Sequence, residues 1–223
     1  MAVQTGEGKL DIIYTPTSVP AGPITYGGYI ARPTYKGEWP TVLVFGPQPT
    51  PTSTVKDYCR VLARHGIAAL APDLTTSHSR NLQITRSVAR FLKDPTGEWS
   101  NGQLGYGVLS FGAGVFDLAM LAREDESLIA GAMVAPPIGG DASELLGQTG
   151  IRGLAIMSRD DESTDVDEAV AQREHIPSTT FVVYPSGDQG FWDLDAEGFD
   201  DVRYSDTVER VVEFFTDRLP SRI

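Results

Sequence analysis

The sequence predicts an α/β fold, a mostly parallel central sheet of about eight strands flanked by helices on both faces. Three observations lead there. Continuous apolar runs such as "TVLVFG" (41–46) and "IAALAPDL" (67–74) are what strands buried on both faces look like. Segments with apolar residues at helical spacing alternate with those runs. No repeated, low-complexity or linker-like stretch divides the chain, so residues 1–223 are expected to form a single domain.

In chain order, 9–14 and 24–32 ("ITYGGYIAR") read as an early hairpin, followed by the strand at 41–46. The stiff loop "PQPTPTST" leads into a helix at 54–65, with Ser53 or Thr54 as its cap and Gly66 as its stop. After the strand at 67–74, Ile84, Val88, Phe91 and Leu92 mark a helix over 81–93. "LGYGVLS" (104–110) is a strand running straight into the helix "FGAGVFDLAMLARED". "LIAGAMVAPP" (128–137), "IRGLAIMS" (151–158) and "TTFVVYP" (179–185) complete the strands, with a helix near 165–174. The last helix is expected to start near Asp206, where "DTVE" has the form of a capping box.

Composition narrows the function classes. At 41% hydrophobic and 22% charged, the chain is an ordinary soluble globular sequence. A net charge of −12 repels phosphate backbones, which argues against a nucleic-acid partner. No apolar run is long enough to cross a membrane, and "MAVQTGEGKLDIIY" lacks the basic and apolar regions of a signal peptide. Cys59 stands alone, so no intrachain disulfide forms and a cytoplasmic location is expected. The acidic run "WDLDAEGFDDVRYSD" lacks the spacing of a calcium loop, and no metal site is expected.

In open α/β sheets ligands bind at the carboxyl ends of the strands, so the residues just past each strand carry the chemistry. "GVLSFGAG" places Ser110 between a buried strand and a helix start, as in a nucleophile elbow of the form G-x-S-x-G. The second glycine is Gly112, while Val108 holds the place of the first. The alternative is that Ser110 only caps the helix. "SRDDEST" offers Asp160 or Asp161 as a carboxylate that could orient a base, or as a solvated turn. In "GPQP", prolines lack an N–H, so Gln48 is the best oxyanion donor there, with Phe111 as its counterpart after Ser110. "SGDQGFW" ends the last strand with Gln189, a side chain that hydrogen-bonds but cannot take a proton from a serine. Trp192 either lines a pocket or packs beneath the acidic loop.

The stretches "GGYIARP", "WPTVLVFGP", "DYCRVLARHGIAALAPDL", "LGYGVLSFGAG", "GLAIMSRDDES" and "VVYPSGDQGFW" together resemble the dienelactone hydrolase family of the α/β-hydrolase fold, over nearly the whole chain. The resemblance implies a compact hydrolase of small esters or lactones, with a Cys or Ser nucleophile, an Asp, a His and no cofactor. Carried over, it puts Ser110 on the nucleophile, Asp161 on the acid and Gln189 on the histidine of the family's H-G-F. Pro47 falls where many members have a glutamate, and Ser77 near an arginine that some use for a substrate carboxylate. His78 and Arg80 lie close to that place without aligning. His78 is the one histidine on the correct edge of the sheet to act as a substitute base, against the plainer reading of a solvated loop histidine.

Two functions from different classes follow. One is a weak ester or lactone hydrolase built on Ser110, Asp161 and the donors at Gln48 and Phe111. The other is a pocket that binds a small molecule, or drives a cyclisation or isomerisation, without serine chemistry. Both expect a small-molecule ligand and a monomer or small homo-oligomer.

Overall fold

The computed structural model describes residues 8–21, 24–93 and 99–221. The strands are β1 (Ile12–Ala21), β2 (Ile24–Pro33), β3 (Thr41–Phe45), β4 (Ala68–Pro72), β5 (Tyr106–Phe111), β6 (Leu128–Val134), β7 (Arg152–Ser158) and β8 (Thr179–Tyr184). They form one sheet in the order β1-β2-β4-β3-β5-β6-β7-β8. β1 and β2 pair antiparallel, as do β2 and β4, and every pairing from β4 through β8 is parallel. The expected hairpin is present, but its first strand runs over Ile12–Ala21 rather than 9–14, and the turn at 22–23 lies outside the described residues.

The helices are α1 (Ser53–Arg64), α2 (His78–Lys93), α3 (Gly114–Ala122), α4 (Gly140–Gly147), α5 (Val166–Ala171) and α6 (Asp201–Arg218). β3, β4 and β5 are buried along their whole length, as continuous apolar runs require. Their alternating side chains divide the core. Val42, Val44, Leu109 and Phe111 join the cluster that holds Tyr58 of α1 and Phe215 of α6. Leu43, Phe45, Val108 and Met133 join the cluster that holds Val88 of α2 and Leu118 of α3.

Local capping departs from the expected pattern in two places. The cap of α1 is Thr52, whose hydroxyl accepts from Val55 N at 3.3 Å. Ser53 and Thr54 instead donate their hydroxyls to Asp195 and Asp193 of the acidic loop. α6 starts at Asp201, ahead of the expected "DTVE", because Asp200 accepts from Arg203 N at 2.9 Å and closes the first turn. Asp206 lies inside that helix and accepts from Tyr184 Oη at 2.6 Å and Arg210 Nε at 2.7 Å. α2 begins at His78 rather than 81, and α4 was not expected at all. α2 buries the polar Asn81 and Thr85 beside its apolar residues, which interrupts its stripe, and α4 is short with glycine at each end.

Candidate active site

The centre of the sheet carries a strand–turn–helix unit. β5 runs on through Ser110 to Phe111, and the chain turns at Gly112, the residue there with a left-handed backbone (φ +51°). Gly112 N donates to Val134 O at 3.0 Å, and Val115 N donates back to Gly112 O at 3.3 Å, which closes the turn into α3. Gly114 allows the helix to start tight against the sheet. A Cβ there would lie 3.0 Å from Phe45 O and 3.4 Å from Ser110 Cβ.

Ser110 is thus two residues short of the turn. It pairs in register with Phe45 and Met133 inside the sheet and is 1% exposed. Its hydroxyl is buried and has no hydrogen-bond partner. The expectation that Ser110 stands at the strand end is corrected accordingly, because β5 starts later than expected and ends one residue further on, at Phe111. Phe111 is likewise a core residue. Its ring meets Tyr58 edge-on at 4.9 Å and stacks on Trp192 at 4.8 Å.

Two clefts flank the turn, and Pro47 lines both. The larger, about 760 Å³, is walled by Gly112, Ala135, Ser163, Gln189 and Trp192, together with the carboxylates of Asp160, Glu162, Asp188, Asp193 and Glu197. No Lys, Arg or His lines it among the described residues. Asp161 sits behind that wall, 1% exposed. Its Oδ1 accepts from Ser163 N at 2.9 Å and from the Ser163 hydroxyl, while Oδ2 is buried without a partner. Gln189 lies on an exposed turn and opens onto the cleft. Ser110 does not line it, so the structure brings Gln189 and Trp192 together there and leaves Ser110 in the sheet.

The smaller cleft, about 240 Å³, lies on the other side of Pro47 and is lined by Gln48, His78, Asn81, Ala113, Gly114 and Asp117 among others. His78 Nδ1 is 2.9 Å from Asp117 Oδ1. Asn81 Nδ2 donates to both Asp117 oxygens at 3.2 Å. Burial raises the Asp117 carboxyl above its ordinary pKa, against the lowering effect of His78 and Asn81. Asp117 was not anticipated from the sequence. It sits in an apolar helix, and the one signal for it was a carboxylate among core residues. Ser77 caps the approach to α2, accepting from Arg80 N and Asn81 N through its carbonyl, and Arg80 is exposed. Neither lines either cleft.

Cys59 is fully buried, and burial pushes its thiol far above the ordinary value, so it is an inert core residue. Among the described residues there is no cluster able to hold a metal ion and no helix long and apolar enough to cross a membrane.

The strand order, the parallel pairings and the central strand–turn–helix unit define the α/β-hydrolase fold. Solved structures of dienelactone hydrolases and esterases share this fold with the chain. A Klebsiella pneumoniae protein assigned as a dienelactone hydrolase superposes with a TM-score of 0.82 at 19% identity, over 92% of this chain and 99% of that one. The dienelactone hydrolase of Anabaena variabilis gives 0.75 at 16% identity, over 94% and 99%. A dienelactone hydrolase-like promiscuous phosphotriesterase from metagenomic libraries gives 0.76 at 15%, over 94% and 99%. No protein-family model and no curated relative matches the sequence.

Proposed function

We propose that this protein keeps the fold and the cleft of a dienelactone hydrolase-like enzyme but binds its small-molecule ligand without covalent ester hydrolysis. One observation carries the reading: the strand-to-helix turn, where an elbow presents its nucleophile, is Gly112 with φ +51°. Glycine brings no hydroxyl or thiol to that point. Ser110, the nearest hydroxyl in sequence, is buried in β5 and does not line the cleft. The base is missing too, since Gln189 holds the place of the histidine and has no titratable proton. Asp161 keeps a buried carboxylate with one oxygen unpartnered, as a triad acid without its imidazole would have.

The five carboxylates around the cleft select the ligand. Their field repels carboxylates and phosphates and favours a neutral or cationic molecule. Trp192 supplies a ring at the wall, a surface that suits apolar or cationic groups.

The decisive experiment is covalent labelling with a fluorophosphonate probe, read by intact mass, beside hydrolysis of p-nitrophenyl acetate. The expected result is no adduct, and no turnover that depends on Ser110. An adduct on Ser110, or turnover that Ser110→Ala abolishes, refutes the reading. A thermal-shift series of small amines, alcohols and carboxylates tests the ligand class, with stabilisation expected from amines or alcohols and not from carboxylates.

A further inference from the structure

The smaller cleft has the parts of a proton-transfer site. His78, at the first turn of α2, reaches Asp117 in the first turn of α3 at 2.9 Å. Asp117 is 5% exposed and His78 about half exposed, so the pair is anchored at its carboxylate and open at its ring. Asn81 fixes the carboxylate by donating to both oxygens. It is fixed in turn by accepting from Thr75 N at 2.8 Å and from the Thr75 hydroxyl at 2.9 Å. An imidazole that gives its Nδ1–H to a buried carboxylate carries its free lone pair on Nε2, the arrangement that orients a catalytic base.

The same cleft is lined by two residues that can supply backbone donors. Ala113 precedes α3, whose first N–H groups have no carbonyl within the helix. Gln48 supplies the one N–H in the run Pro47-Gln48-Pro49. Donors of this kind stabilise an oxygen that gains negative charge.

We propose that His78 and Asp117 form a general-base pair that moves a proton at the carbon adjacent to the carbonyl of a small ketone or aldehyde bound in this cleft. His78 Nε2 takes the α-proton. The C–H electron pair becomes the C=C bond of the enolate, and the carbonyl π pair moves onto oxygen, where the N–H groups of Gln48 and Ala113 donate to it. Asp117 accepts from Nδ1–H and stabilises the imidazolium. Return of the proton to carbon completes the cycle with no oxidant, reductant or leaving group. The inference stands apart from the preceding reading, because Gly112 lines the larger cleft and not this one.

The test is hydrogen exchange at the α-carbon of cyclopentanone and hydroxyacetone in D₂O, followed by proton NMR with purified full-length protein. The wild-type chain is expected to accelerate exchange. His78→Ala should lower that rate about 100-fold, the size of a general-base contribution. Added imidazole should restore exchange in His78→Ala, which a merely structural clamp between α2 and α3 would not allow. Asp117→Asn, checked for folding by circular dichroism, should lower the rate at least tenfold. A wild-type rate on both probes no greater than that of His78→Ala overturns the assignment, and so does failure of imidazole to rescue a folded variant. The two readings fail separately. A fluorophosphonate adduct on Ser110 would remove the non-covalent reading, and absence of exchange would remove only this one.

Discussion

Trp192 lies flat against Phe111, with ring centroids 4.8 Å apart and planes inclined by 27°. The contact ties the turn that carries Gln189 to the end of β5, and so joins the wall of the larger cleft to the central turn. Phe191 strengthens the same junction, meeting Tyr184 edge-on at 5.7 Å. Trp192 is 7% exposed, and its removal leaves a cavity beneath the acidic loop. Trp192→Ala is therefore expected to cost about 3–5 kcal/mol. Trp192→Phe keeps a ring in the stack and should cost clearly less. Urea unfolding of the two variants against wild type checks the order. Equal, small losses would mean that the stack does not hold the wall.

Ser110 leads to a prediction of opposite character. Its hydroxyl is buried without a partner, so folding strips it of water and returns nothing. Ser110→Ala removes that polar group and leaves a methyl in a position already packed by Gly114 and Phe45. The expected outcome is unchanged or increased stability, by up to about 1 kcal/mol, with the cleft's ligand binding intact. A catalytic serine would show the reverse, namely little change in stability and lost activity. Chemical denaturation and a ligand-binding isotherm on the same preparation distinguish the two.

Much of the fold is legible in the sequence because strands buried on both faces leave apolar runs, and "TVLVFG" and "IAALAPDL" mark β3 and β4 within a residue or two. α4 left no such signal. The start of α2 was hidden because Asn81, a buried polar residue, breaks the apolar stripe. The site was harder for a physical reason. "SFGAG" and "VLSFG" both fit a small-residue elbow, and the hydroxyl of Ser110 favours the second frame. Backbone conformation favours the first frame, since the left-handed residue of the turn is Gly112. The glycine at 114, two beyond the turn, was the available clue, for it has the spacing of the motif's second glycine in the shifted frame. The His78–Asp117 pair spans 39 residues and could not be read from local pattern.

Acid stability follows from Asp125. Burial raises its carboxyl pKa, but Lys93 Nζ at 2.7 Å, Ser127 N at 3.0 Å and Tyr106 Oη at 3.0 Å outweigh this and leave it below its ordinary value of 3.8. A carboxylate whose folded pKa lies below its unfolded one contributes stability above the unfolded value, and loses it as pH falls through the folded one. Wild type should therefore lose stability from about pH 4 downward. Asp125→Asn should lower stability at pH 7 by about 1–3 kcal/mol, because Lys93 and Tyr106 lose an ionic acceptor. It should also flatten the loss below pH 4. Urea midpoints at pH 7 and pH 3 for both proteins give the comparison. Parallel acid sensitivity in wild type and variant would assign the effect elsewhere.

If the larger cleft lacks only its nucleophile and base, restoring both should bring back ester chemistry. A Cβ at Gly112 meets only Pro47 Cβ, at the ordinary contact distance of 3.7 Å, so a serine side chain has room there. Its cost is the left-handed backbone, about 1–2 kcal/mol for a residue other than glycine. Gln189 opens onto the same cleft, and Asp161, between the lining residues Asp160 and Glu162, has Oδ2 buried and unpartnered, an acceptor suited to the N–H of an introduced imidazole. Gly112→Ser alone should stay inactive toward p-nitrophenyl acetate, since a hydroxyl at its ordinary pKa is a poor nucleophile. Gln189→His alone should also stay inactive, for want of anything to deprotonate. The double variant should release p-nitrophenol with a burst equal to enzyme, at about 100-fold or more over either single change. A burst that persists when Ser110→Ala is added, and vanishes when Asp161→Ala is added, would complete the case. Failure of a folded double variant to form any acyl-enzyme would show that the turn at Gly112 does not aim a side chain into the cleft.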